Sequence, residues 1–282
     1  MTISVLLAVL FAAFCHASWN ALVKFGNDRL FGLLIIAFFS GLLSAPALLW
    51  VGFPPSESIP WLALSTLFHI GYTVFLSKAY STGDLSQIYP ISRGTAPLMV
   101  AALSIIIFNH PLSLSELAGI LLIITGVLLI ALVGKERQLN IKGKALIYAL
   151  ITALFTACYT LADGQGARAG DSPLSYTLWL FFINGLVLII PAIIKYRTTL
   201  LKGCRRYWKI GIFGGLMQLM SYGIVIWAMS KSSIVLVAAL RETSVLFAMF
   251  LSIVFLKEHF SRTRIIACVV ILGGVLLAKM SH

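Results

Sequence analysis

The sequence predicts an all-α membrane protein with ten transmembrane helices arranged as two inverted five-helix repeats. Three observations carry that prediction. Hydrophobic residues fill 60% of the 282 positions and charged residues only 11%, where a water-soluble domain has close to a quarter charged. The apolar residues gather in runs of about 20, the length that crosses about 30 Å of hydrocarbon as a helix. Finally, the two halves echo each other at a fixed offset.

Ten spans follow in order: Ile3–Val23, Leu30–Gly52, Ile59–Ala79, Leu85–Phe108, Glu116–Val133, Lys144–Gln165, Pro173–Ile194, Trp208–Met229, Ile234–Leu256 and Thr263–Lys279. The first has no basic stretch before it and its apolar run continues to Val23, too long for a signal-peptide core, so it reads as a spanning helix. Punctuation separates the rest: Pro54-Pro55, Asn109-His110-Pro111, Gly134 and Asp171-Ser172-Pro173. No connection is long enough for a separate soluble domain. Trp50, Trp61, Trp208 and Trp227 fall at span ends, where an interfacial aromatic belt accounts for them.

Setting residue i against i+148 brings Arg93 onto Arg241, Thr95 onto Thr243, Ser104 onto Ser252, Ser113 onto Ser261 and Gly126 onto Gly274. The division is into residues 1–137 and 138–282. Five spans per half is an odd number, so the second half enters the membrane upside down. Carriers built this way bind cargo near the midplane, between the repeats.

Basic residues set the orientation. Sixteen Lys and Arg fall in the turns after spans 1, 3, 5, 7 and 9, against three on the opposite side. The basic side is expected in the cytoplasm and both termini outside. This distribution also explains the net charge of +12 without nucleic acid, because no basic stripe with interleaved aromatics forms on a soluble surface. Cys15, Cys158, Cys204 and Cys268 lack metal-ligand spacing. There is no phosphate loop, zinc-protease helix or nucleophile elbow. The chain is therefore expected to be neither an enzyme nor dependent on a cofactor.

What remains is a set of polar residues inside apolar spans. Arg93 and Arg241 sit in runs that cross the membrane, where an ionised guanidinium costs at least about 2.5–3.5 kcal/mol and marks a pathway when it persists. Around Arg93 stand Pro90, Gly94 and Pro97, which loosen a helix and are tolerated only against protein or water. Helical spacing puts further polar groups on common faces. His16, Trp19 and Asn20 share a face in span 1, His69 and Tyr72 in span 3, and Tyr89 and Arg93 in span 4. Tyr159 and Asp163 pair in span 6, Gln218 and Tyr222 in span 8, and Arg241 adjoins Glu242 in span 9. Facing inward, they line a polar, aromatic-walled cavity. Substrate contacts are expected from Arg93, Tyr89, Arg241, Trp19, Asn20, His69, Tyr72, Tyr159, Gln218 and Tyr222, and proton coupling or gating from Glu242, Asp163 and His16. Glu242 is alternatively the neutralising partner of an arginine. Spans 2, 5 and 10 hold almost nothing polar and read as packing or lipid-facing helices.

The stretches Tyr89-Pro90-Ile91-Ser92-Arg93-Gly94-Thr95-Ala96-Pro97 and Ala239-Leu240-Arg241-Glu242-Thr243-Ser244 resemble the drug/metabolite transporter superfamily, in particular its EamA-type members. Phe255-Leu256-Lys257-Glu258-His259-Phe260 with Gly273-Gly274-Val275 resembles that family's turn and closing glycine helix; in the first half His110 stands where the turn's glutamate is expected. The resemblance implies alternating access, with spans 1, 3, 4, 6, 8 and 9 around the cavity and a small solute as cargo. The expected protein is a multi-pass secondary transporter of the bacterial inner membrane, exporting an anionic or zwitterionic metabolite such as an amino acid, with protons as coupling ion. A lipid-headgroup flippase is the alternative.

Overall fold

The computed structural model describes residues 1–23, 29–83, 85–109, 111–132, 143–256 and 262–280. Among these, ordered structure is helical. The elements are α1 (Ile3–Val23), α2 (Arg29–Val51), a 3-10 turn at Ser56–Ser58, α3 (Ile59–Thr82), α4 (Leu85–Phe108), α5 (Leu114–Leu132), α6 (Gly143–Ala169), α7 (Pro173–Lys231), α8 (Ile234–Arg241), α9 (Ser244–Leu256) and α10 (Arg262–Met280). Eight described segments are long and apolar enough to span a bilayer, and Leu114–Leu129 and Ile265–Ala278 are shorter apolar helices. Backbone satisfaction explains the helices: lipid offers no partner for N–H or C=O. Large side chains such as Leu49 (85% exposed) and Ile194 (81%) face outward, as they do where the solvent is lipid.

Local chemistry sets several ends. Ser113 and Glu116 open α5 with a reciprocal capping box, Glu116 N–H donating to Ser113 Oγ at 3.2 Å and Ser113 N–H to Glu116 Oε2 at 2.9 Å. Gly52, at φ +67°, ends α2 in the left-handed region. Ser233 caps α8 by accepting from Leu236 N–H at 3.4 Å.

Two elements differ from the ten spans read in the sequence. Spans 7 and 8 belong to one helical stretch, α7, whose two arms Pro173–Ile194 and Gly203–Lys231 fold back on each other. The Phe181 and Tyr222 rings lie 6.3 Å apart, whereas a straight helix would separate them by about 60 Å. Span 9 is broken. α8 stops at Arg241, α9 begins at Ser244, and the junction tightens into i→i+3 bonds such as Val245 N–H to Glu242 C=O at 3.1 Å. The proline-bearing span 4 is the continuous one, running unbroken as α4. Loosening thus comes at the polar Glu242-Thr243 pair rather than at Pro90 and Pro97.

Two helix pairs pack through glycines in a reciprocal manner. A Cβ on Gly126 would come within 2.9 Å of Ala267 O and 3.2 Å of Ile271 N; a Cβ on Gly274 would meet Gly119 O at 2.7 Å and Ile123 N at 2.8 Å. Each contact becomes the other when 148 is added to α5 numbers and subtracted from α10 numbers. Between α2 and the first arm of α7 the same holds with a shift of 144: Gly41 meets Phe181 O at 2.9 Å, and Gly185 meets Ala37 O at 3.2 Å. Within each pair one partner's number falls as the other's rises, so the helices run antiparallel. A two-fold axis produces such mutual contacts.

Candidate functional site

A cavity of about 220 Å³ opens inside the bundle, lined from α1, α2, α3, α4, α6, both arms of α7, and α8. The helix break delivers Arg241 to its wall, and Arg93 reaches it from the unbroken α4. Between them lies Glu242, 1% exposed. Arg93 Nη2 is 3.1 Å from Glu242 Oε2, and Arg241 Nε is 3.7 Å from Oε1. One carboxylate therefore lies against two guanidinium groups. At 3.7 Å the second contact is electrostatic rather than a hydrogen bond. Arg241 also stands over the Tyr222 ring, 5.8 Å from its centre, a cation–π arrangement that strengthens away from water.

Tyr222 joins this triad to a second acid. Its hydroxyl donates to Asp163 Oδ2 at 2.5 Å, and Tyr176 donates to Oδ1 at 2.9 Å. Asp163 is fully buried, so α6 and both arms of α7 are tied together through one carboxyl group. The aromatic wall continues from there. His69 stacks on Tyr159 at 4.0 Å, and Tyr159 meets Tyr72 and Tyr222 edge-on at 5.7 and 6.1 Å. His69 Nδ1 lies 2.9 Å from Ser65 C=O. A carbonyl only accepts, so Nδ1 carries a proton and donates it there.

On α1, His16 sits edge-on to Trp19 at 5.0 Å, and Asn20 Nδ2 donates back to His16 C=O at 3.0 Å. Ser221 fixes the second arm of α7 to α1 by donating to Ala12 C=O at 2.9 Å. Among the described residues, two uncharged wall residues carry buried polar atoms with no hydrogen-bond partner, the donor Trp19 Nε1 and the acceptor Gln218 Oε1. Buried polar atoms are nearly always paired, so this donor and acceptor stand out on the cavity wall.

The structure brings together on this wall His16, Trp19, Asn20, His69, Tyr72, Arg93, Tyr159, Gln218, Tyr222 and Arg241. Glu242 and Asp163 stand behind it, each reached through a wall residue. The Tyr89 side chain lies outside the described residues. Two corrections apply to the expected ring of helices. α2 contributes Leu33, Leu34, Ala37 and Ser40, and the first arm of α7 contributes Asn184 and Leu188. An apolar or small-residue face gives no polar signal in sequence, which is why span 2 read as packing. Asn184, a polar residue in mid-span beside Gly185, did carry a signal of the same kind as Asn20.

The family model of the EamA-like transporter family matches residues 3–132 and again residues 143–280, so the chain belongs to that family. It is an integral multi-pass membrane transporter of the drug/metabolite transporter superfamily, a family of transporters rather than enzymes. A search among curated proteins returns no match. One solved crystal structure, of a protein given no further description, is similar at 17% identity over 99% of this chain and 98% of that one, with a TM-score of 0.75. At that identity the likeness is one of fold.

Proposed function

We propose that the chain is a secondary active transporter that exports a small polar metabolite, an amino acid or organic anion, by alternating access through the central cavity. One observation carries this reading: Arg93 and Arg241 face one cavity and share a single buried carboxylate, Glu242. Guanidinium groups at a cavity wall suit a carboxylate or phosphonate, whose paired oxygens match their planar fork. Trp19 Nε1 and Gln218 Oε1 offer a donor and an acceptor to the rest of the cargo. Tyr72, Tyr159 and Tyr222 form the wall it passes, and Asn20, His69 and Tyr89 complete the contact set. Glu242, Asp163 and His16 are the groups for proton coupling, Asp163 communicating with the cavity through Tyr222.

Residues 1–137 and 138–282 act as inverted halves in a ten-span topology. The reciprocal antiparallel contacts of α5 with α10, and of α2 with the first arm of α7, support that arrangement. Basic turns facing the cytoplasm of a bacterial inner membrane, with both termini outside, agree with the lysine and arginine distribution. The test is flux in proteoliposomes. Arg93→Ala should abolish uptake of carboxylates and phosphonates while the protein still folds, and wild-type flux in that variant would remove Arg93 from the mechanism.

The apolar face that Leu33, Leu34 and Leu188 present to the cavity favours a second reading, a flippase for a lipid headgroup. Lipid co-purifying at one molecule per chain, displaced by no soluble anion, would favour it over the first.

A further inference from the structure

The cavity extends from the middle of the bundle toward one end. Its lining reaches that way in the second half of α1 (Trp19, Asn20), the first half of α2 (Leu33), the second half of α3 (Leu76) and the first half of α4 (Arg93), whereas Tyr159 on α6, Phe181 and Tyr222 on the two arms of α7, and Arg241 line its middle. All four stretches approach the end that carries the α1–α2 and α3–α4 turns, the basic end of the sequence. At the opposite end the elements are cross-linked. Arg168, in the last turn of α6, donates from Nε to Met229 C=O at 2.9 Å and from Nη2 to Ser232 C=O at 2.6 Å. Ser58 donates to Gly166 C=O at 2.7 Å, and Trp179 Nε1 to Gly52 C=O at 2.8 Å, with Phe53 stacked on Trp179 at 4.5 Å.

An arginine in a helix's last turn already suits that helix's dipole. Arg168 does more: of the two carbonyls it holds, that of Met229 belongs to the last turn of α7 and that of Ser232 to the α7–α8 turn. From that turn α8 runs as a fully buried rod of eight residues, about 12 Å long, to Arg241 on the cavity wall. A rod so short and so enclosed moves as one body. α8 is therefore the direct link between the Ser232 contact and Arg241 on the cavity wall.

We propose that Arg168 is a gating residue: it holds the end opposite the basic turns shut while the cavity faces the basic end, and its release, coupled through α8 to Arg241, opens the exit there. The proposal rests on the cavity being a transport pathway, but its test needs no cargo.

Cys15, Cys158, Cys204 and Cys268 are replaced by serine, and a single reporter is placed on the wall as Asn184→Cys or, independently, Thr73→Cys. A membrane-impermeant methanethiosulfonate is then applied to each face of sealed vesicles, with Glu57→Cys marking the Arg168 face. The wild-type reporter should react from the basic face. Arg168→Ala should speed reaction from the Arg168 face about tenfold or more, as expected when two charge-assisted bonds are lost, and slow it from the basic face. Arg168→Lys should be intermediate. The reciprocal change is the decisive readout, because simple loosening speeds labelling from both faces. Equal rates in wild type and Arg168→Ala, faster labelling from both faces, or a wild-type reporter reacting from the Arg168 face would each overturn the gate. None of these results depends on whether Arg93 binds an anion, so the gate and the proposed cargo fail separately.

Discussion

Replacing Glu242 by alanine leaves Arg241, with its side chain 5% exposed, and Arg93, at 14%, without the carboxylate between them. Breaking a buried ion pair by removing one partner costs about 3–5 kcal/mol, because a charge is stranded away from water. Arg93 borders the cavity and regains some solvent, so the lower end, about 3 kcal/mol, is expected. For a chain of this size that corresponds to a fall of about 6–12 °C in melting temperature, read by intrinsic fluorescence in detergent or nanodiscs. The informative comparison is the triple variant Arg93→Met, Arg241→Met, Glu242→Leu. Apolar replacement of a whole buried ionic cluster is often neutral or stabilising, so this variant should recover the wild-type melting temperature or exceed it while losing transport. A triad held for function rather than stability behaves so. Glu242→Ala melting with the wild type, or a triple variant less stable than Glu242→Ala, would refute the assignment of a stranded charge.

Other expectations follow from the same geometry. Asp163→Leu should lower the melting temperature by several degrees, because it strands the hydroxyls of Tyr176 and Tyr222, whereas Tyr222→Phe alone should cost less. Trp19→Phe removes a donor that has no hydrogen-bond partner among the described residues, so stability should hold while ligand affinity falls about five- to tenfold, measured by calorimetry on both proteins. Gly126→Val should collapse folded yield, since its first added carbon would meet Ala267 O at 2.9 Å; the same change at Gly273, which has nothing within 4 Å, should be tolerated.

The helices and the two arginines were legible because lipid imposes a simple code. A span needs about 20 apolar residues, so a charge inside one stands out. The offset of 148 was visible through Arg93, Arg241, Gly126 and Gly274, and the last two become the contact between α5 and α10. The site's polar half was readable on the same grounds, and its apolar half was not: Leu33, Leu34 and Leu188 look in sequence like any lipid-facing leucine. The break in span 9 was hidden for a different reason. Prolines advertise disruption, yet α4 absorbs Pro90 and Pro97, while Glu242 and Thr243, unremarkable in helix propensity, interrupt α8–α9 where the carboxylate is drawn to both arginines. Asp163 shares a helical face with Tyr159 in the sequence, but its partners Tyr176 and Tyr222 lie 13 and 59 residues further on, and only the folded chain brings them to it.

The most direct test of an anion held between the two halves is ligand-induced stabilisation of the purified protein and its Arg93→Ala variant, across a panel of carboxylates, phosphonates, amino acids and neutral or cationic analogues. A ligand that binds only the folded state raises the melting temperature with its concentration over Kd. At least one anionic or zwitterionic compound should stabilise the wild type and fail to stabilise Arg93→Ala. Stabilisation confined to neutral or cationic compounds, or an anion effect that survives in Arg93→Ala, would contradict a cargo site built on these guanidinium groups.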